Sequence, residues 1–252
     1  MFTFFKTASI LVLTFTLLFG VGLISIYLSI PNVSELKNEN PKTTAFIDYR
    51  KREATKVGKS LKIYRKWISY QDIPDPILKA TIVAEDASFW IHHGIDWFEI
   101  KESIEANWEK GKFARGGSTI TQQLAKNLYL SPQKNFYRKV KEWFIARELE
   151  EKLRKSRILE LYLNTIEFGR GVFGIRAAAE TYFHKEPWQL ELSEVVRLIA
   201  IIPNPLNLKP TYPTSGLKWR SRVILYRLYK YNFITEEEYH NTKEQLSGFF
   251  ES

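Results

Sequence analysis

The sequence predicts a mainly α-helical domain preceded by one membrane-spanning helix, and three observations carry that expectation. No charged residue occurs from 7 to 34, and Ile10 to Ile30 is a nearly unbroken apolar run. About 20 such residues in a helix cross the hydrocarbon core of a bilayer. Beyond Asp75, apolar residues recur at three- and four-residue steps, the period of a helix with one buried face. Helix-start signals punctuate that stretch: Asp75-Pro76, Thr119-x-x-Gln122, Ser156 and Thr235-x-x-Glu238.

With 44% hydrophobic and 26% charged residues in 252, the chain can bury one core of about 200 residues once an anchor is set aside. It contains no cysteine, which excludes disulfides, a thiol nucleophile and cysteine-based zinc sites. The net charge of +9 is uneven. Thirteen Lys and Arg lie between Lys110 and Arg157, against Glu142, Glu148, Glu150, Glu151 and Glu160 as the acids. Such a bias suits an anionic partner (nucleic acid, anionic lipid or a phosphorylated substrate) or simply a solvated helix face.

Residues 1–33 form the expected cytoplasmic tip and anchor. A cleaved signal peptide is the rival, but its apolar region runs to about 7–15 residues and ends at a small-x-small site. Ser29-Ile30-Pro31 offers no such site. Lys6 alone precedes the run, while Lys37, Lys42, Arg50, Lys51 and Arg52 follow it, so the charge rule alone places the body in the cytoplasm. Residues 34–70 read as a linker and entry segment with short strands around 44–48 and 61–67. Residues 71–252 form the main domain. Asp75 is the expected cap of its first helix. A long helix starts near Asn135, with Phe136, Val140, Trp143, Ala146, Leu149 and Leu153 as its apolar stripe. Ser156 is the expected cap of a helix over 157–164. Gly169, Gly171 and Gly174 mark a loop before a helix at 177–183, and later helices fall near 192–202, 216–231 and 235–247.

Two glutamates stand out. On a helix Glu85 shares a face with Leu78, Thr81, Ile82 and Phe89, so its carboxylate loses hydration and its pKa rises. That suits proton exchange near neutral pH. The bland alternative is an exposed glutamate at the end of a core helix, with Asp86 and His92 as cap or core partners. Glu142 follows Arg138 and Lys139 by one turn, which keeps it ionised or makes it an ordinary surface ion pair worth about 0.3–0.5 kcal/mol. Two carboxylates in unlike environments match the division of labour at a glycosidic centre. The turn Gly116-Gly117-Ser118-Thr119 opens a helix whose free N–H groups attract anions. Lys126 lies two turns further along that side. The histidines lack zinc-ligand spacing, and the tetrad Ser215-Gly216-Leu217-Lys218 lacks the downstream K-T-G of serine acylases.

Together these segments resemble the peptidoglycan glycosyltransferases, the lysozyme-like family of penicillin-binding proteins and monofunctional transglycosylases. Glu85-Asp86-x-x-Phe89-x-x-His92-x-Gly94 matches its first motif and residues 116–123, GGSTITQQ, its second. Arg138-Lys139-x-x-Glu142-x-x-x-Ala146-x-x-Leu149-Glu150 matches the third, and Lys155-x-x-Ile158-Leu159-x-x-Tyr162-Leu163-Asn164 the fourth. Arg170-Gly171-x-x-Gly174-x-x-x-Ala178-Ala179-x-x-Tyr182-Phe183 matches the fifth, and the likeness runs loosely on through Pro203-Asn204-Pro205.

The resemblance implies a monofunctional enzyme of cell wall biogenesis. It is tethered by one span in the bacterial cytoplasmic membrane, with its body on the outer, periplasmic side. It polymerises lipid II onto a growing glycan by inverting transfer and releases undecaprenyl diphosphate. Glu85 would be the general base and Glu142 the support of the leaving diphosphate. Asp86, Phe89, His92, Ser118, Thr119, Gln122, Gln123, Lys126, Arg138 and Lys141 would bind substrate. No organic cofactor is implied and no metal ligand is assigned, while a magnesium or manganese ion beside Glu142 stays open. The expected partners are lipid II, the glycan and the bilayer, then penicillin-binding proteins and the division or elongation machinery, and no nucleic acid. Trp97, Phe98, Ile100, Trp108 and Phe113, interleaved with Lys101, Lys110 and Lys112, suit a segment dipping into the headgroups. The rival readings are a lysozyme-like glycan-cleaving enzyme and a non-enzymatic tethered scaffold.

Overall fold

The computed structural model describes residues 2–109, 117–133 and 135–251, with side chains from 13 except at 19 and 107–109. Trp108, as a side chain, and Lys110, Lys112, Phe113 and Gly116 of the sequence reading lie outside them.

Helix α1 spans Phe2–Leu28. Its described outward side chains are strongly exposed, Leu13 at 75% and Leu28 at 78%, while Ile26 is buried and Tyr27 meets Phe144 edge-on at 6.3 Å. Among the described residues no helix is long and apolar enough to cross a membrane. Helix α2 (Ala45–Lys56) replaces the strand expected at 44–48. Thr44 caps it by accepting from the Ile47 amide, so a threonine that reads as a strand former serves as a helix start. Arg50 on α2 donates in a fork to Glu167, with contacts of 2.7–3.0 Å, and ties the entry segment to the body.

The strand expected within 61–67 is present as β1 (Tyr64–Arg65). It pairs parallel with β3 (Val172–Phe173), which pairs antiparallel with β2 (Glu167–Gly169). The glycines read as a loop therefore include a hairpin. Gly171 turns it at φ +81°, where a Cβ would sit 2.5 Å from the Lys62 carbonyl oxygen, so no side chain fits.

The remainder is helical. α3 (Asp75–Glu85) is preceded by Pro74 in the cap position, and Asp75, the expected cap, instead pairs with Lys79 at 2.6 Å. α4 is Trp97–Glu109, α5 Ile120–Tyr129 and α6 Phe136–Lys152. α7 (Lys155–Thr165) starts two residues earlier than expected, so Ser156 lies inside its first turn and Arg154 holds the cap position. α8 is Ile175–Phe183, α9 Leu192–Ala200, α10 Ser215–Lys230 and α11 Glu236–Glu251.

The apolar stripe of α6 is real from Ile145 onward, with Ile145, Ala146 and Leu149 fully buried, but Phe136 is 76% exposed at its start. A Leu149→Ala cavity there costs about 2–5 kcal/mol. α5 packs on α6 and α7, while α3 packs on α9 and α10. Asn164 stitches α7 to the chain before α3, accepting from the Ile68 amide and donating to its carbonyl, both at 2.8 Å. The site lies where the two groups of helices meet.

Candidate active site

Glu85 is the last residue of α3, and its side chain is only 9% exposed. One carboxylate oxygen, Oε2, accepts from Gln123 Nε2 on α5 at 3.0 Å. The other, Oε1, accepts from Arg220 Nη2 on α10 at 3.3 Å. Gln123 is itself held, its Oε1 accepting from the fully buried Tyr162 hydroxyl at 3.1 Å. Burial raises the Glu85 pKa above the usual carboxylate value. The Gln123 hydrogen bond, Arg220 and Lys126 pull it back, and Asp86 adds to the rise. An anion at the C-terminal end of a helix is also opposed by the helix dipole. The net effect is a carboxylate that binds a proton more readily than an exposed one, as the apolar face read from sequence requires.

Glu142 faces the opposite situation. Its side chain is 3% exposed, yet both oxygens are matched by cations: Arg138 Nη1 donates to Oε2 at 2.6 Å and Lys139 Nζ to Oε1. Lys139 also donates to the Ser118 hydroxyl at 3.0 Å, which ties α6 to the turn before α5. Each oxygen of this buried carboxylate therefore faces a cation at contact distance.

Lys126, in the last turn of α5, links the two. Burial lowers its pKa; the Glu142 and Glu85 carboxylates raise it, and Arg138 and Lys139 lower it. Both glutamates thus act electrostatically on one ammonium group. Among the described residues no hydrogen bond or ion pair occupies that ammonium. Within that set it is a partly buried cation without a counter-ion of its own.

Other residues of the sequence reading are committed to the scaffold. Asp86 accepts from the Ile120 amide at 2.9 Å, capping α5, and from His92 Nε2 at 2.9 and 3.0 Å. His92 Nδ1 accepts from the Gly94 amide, which fixes the tautomer that donates to Asp86. Thr119 is 2% exposed: it donates to the Gly94 carbonyl and forms the predicted capping box with Gln122. Gln122 and Phe89 are at 0% exposure. Phe89, Thr119 and Gln122 are thus buried in packing and capping contacts. Lys141 makes no hydrogen bond or ion pair among the described residues, and Lys139, three residues before Glu142, makes the ion pair.

Sequence reasoning missed Lys139 and Tyr162 as site residues although both lie inside quoted motifs, and it missed Arg220, which lies in none. Among the described residues no group of three or more His, Asp or Glu side chains could hold a metal. Glu142 has both oxygens paired with cations. A cavity of about 680 Å³ lined by Lys37, Tyr70, Lys152, Arg154 and Arg157 includes neither glutamate.

A family profile described as Transglycosylase matches residues 52–229. The chain is 41% identical over 189 residues to the Biosynthetic peptidoglycan transglycosylase of Dechloromonas aromatica, covering 75% of this chain and 82% of that one. It is 36% identical over 220 residues to Penicillin-binding protein 1A of Aquifex aeolicus, covering 87% of this chain and 30% of that protein. A crystal structure of Penicillin-Binding Protein 1A from Haemophilus influenzae overlays 73% of this chain and 18% of its own, at 22% identity and a TM-score of 0.43, a likeness too slight to bear on the site.

Proposed function

The chain belongs to the transglycosylase family, and from that premise we propose that Glu85 is the general base and Lys126 the leading electrostatic support of glycosyl transfer from lipid II. The protein is a peptidoglycan glycosyltransferase of cell wall synthesis, and its family implies lipid II and a glycan chain as substrates. The residue assignment is supported by the buried Glu85 carboxylate held between Gln123 and Arg220, with the Lys126 ammonium carrying no ion pair among the described residues.

In this reading the 4-hydroxyl of the acceptor's terminal sugar hydrogen-bonds to the Glu85 carboxylate. Its oxygen attacks the donor anomeric carbon, the proton passes to Glu85, and the bond to the diphosphate breaks on the opposite face with inversion. General-base assistance of this kind supplies about 10²–10⁴ in rate. Negative charge grows on the departing diphosphate as that bond breaks. Lys126 meets it, with Arg138 and Lys139 nearby and held in place by Glu142. Glu142 thus acts by orienting cations, and Ser118 is oriented through Lys139. A cluster of cations favours a diphosphate leaving group over the sugar oxygen expelled by a glycan-cleaving enzyme.

Both substrates carry lipid tails, so the cleft has to work at a bilayer surface. We propose that α1 is a membrane anchor with the body outside, which is supported by the absence of charge from 7 to 34 and by its exposed apolar side chains such as Leu13, Phe15, Leu17 and Leu28. Trp90 at 51% and Ile91 at 80% exposure within the first motif, and Trp97 at 64%, Phe98 at 72% and Ile104 at 62% after it, supply apolar surface for headgroup contact.

The test is the full chain in detergent with fluorescent lipid II. Polymer that a muramidase digests is the expected product. Degradation of preformed glycan without polymer formation would refute the synthetic reading.

A further inference from the structure

We propose that Arg220 is a positioning residue for the transfer, holding the Glu85 carboxylate from α10 in its working orientation; this rests on Glu85 being the proton acceptor. Of the three arginines on α10, Arg220 and Arg227 are seven residues apart, hence on one face and two turns apart. Both reach the end of α3. Arg227 Nη1 donates to the Val83 carbonyl at 2.8 Å, where a helix C-terminus offers unsatisfied oxygens. Arg220 Nε donates to the Ala200 carbonyl at the end of α9, also at 2.8 Å, which fixes the guanidinium and leaves Nη2 for Glu85 Oε1.

On the other side, Tyr162 holds Gln123 and Gln123 holds Oε2. Each oxygen of the base therefore accepts one bond from the protein, and each keeps a lone pair for a sugar hydroxyl. Rotation of the carboxylate would break both contacts. α9 and α10 are thereby coupled to the chemistry although neither carries a reacting group.

The charged and titratable groups acting on Glu85 are Arg220 from α10, Lys126 from α5 and its neighbour Asp86. From α7, Tyr162 also couples to Glu85, and on α10 Arg227 couples to Arg220. Without Arg220 the carboxylate loses a cation that favours its charged form, so Glu85 holds its proton to higher pH. A purely structural arginine would lower activity without moving the acidic limb of the pH–rate profile.

The experiment measures kcat and KM for fluorescent lipid II against pH with the full chain as wild type, Arg220→Ala, Arg220→Gln, Arg220→Lys and Glu85→Gln. Thermal melts check folding, and the glutamine variant serves if the alanine variant fails to fold. The neutral variants should lose about 10–100-fold in kcat, as small misplacements of a reacting group do, with KM little changed. Their acidic limb should move to higher pH. Arg220→Lys should restore the limb but only part of kcat, since one ammonium cannot replace the planar fork between Ala200 and Glu85. An acidic limb at its wild-type position in the neutral variants, with Glu85→Gln inactive, overturns the role of Arg220 and leaves the base intact. Wild-type activity in Glu85→Gln overturns both.

Discussion

Replacing Lys126 with methionine removes one charge and keeps the stem that packs beside α6. An ammonium about 4 Å from a diphosphate oxygen, at an effective dielectric of about 20, is worth about 4 kcal/mol per unit charge. At about 1.4 kcal/mol per factor of ten, that is close to three orders of magnitude. Some of it is recovered from Arg138 and Lys139, but both already neutralise Glu142, so Lys126→Met should cost about 10²–10³ in kcat. The loss should fall on kcat more than KM, because the leaving-group charge grows only as the bond breaks. The structure adds a pH signature. Burial lowers the Lys126 pKa, so the wild-type rate should decline on the alkaline side below the ordinary lysine range as the ammonium is lost. A guanidinium in its place cannot lose its charge there, and Lys126→Arg should carry activity to higher pH. The assay is lipid II polymerisation with separate kcat and KM across pH. A Lys126→Met enzyme within about fivefold of the wild-type kcat, or an alkaline limb unmoved in Lys126→Arg, would refute the reasoning.

Glu85→Gln should raise the melting temperature above neutral pH by about 2–4 °C, the scale of a 1 kcal/mol change in a domain of this size. The sign follows from its raised pKa: the folded state prefers the protonated form, so the wild type loses stability as pH rises through the folded pKa, and the glutamine variant does not. The gap should close in acid, and a gap independent of pH would contradict it. Glu142→Gln should destabilise by about 3 kcal/mol in urea titrations, since it leaves Arg138 and Lys139 facing no anion, with Lys139 partly relieved by solvent. A change within error would mean the pair is solvated. Brominated lipids in nanodiscs should quench tryptophan fluorescence of the full chain less in Trp97→Ser than in wild type. Equal quenching would remove α4 from the bilayer surface.

The helical body was legible because its cues are local. Thr119 with Gln122 and Thr235 with Glu238 form the capping contacts their spacing predicts. Asn135 caps α6 at the start that the sequence predicts. Where the reading failed, tertiary contact decided. Thr44 and its β-prone neighbours fold as a helix because α2 packs on α5. The glycines at 169–174 form a hairpin because β3 finds β1, a strand far away in the chain. At the site, Glu85 and Lys126 were readable from an apolar face and a helix start. That Thr119, Gln122 and Phe89 are sealed inside was not, since a motif records that a residue matters and not whether it binds or packs. Arg220 shows the opposite limit. Its only local trace is the seven-residue spacing to Arg227, and its meaning comes from α3 lying alongside.

The central claim is that Glu85 accepts the proton of the attacking hydroxyl in a cleft shared with Lys126. Single-turnover polymerisation of fluorescent lipid II by the wild type and by a folded Glu85→Gln protein, with lipid II binding measured in parallel, tests it most directly. The account predicts unchanged binding and a rate lower by at least about 10². Glycan formed by the variant at a rate comparable to wild type would contradict it.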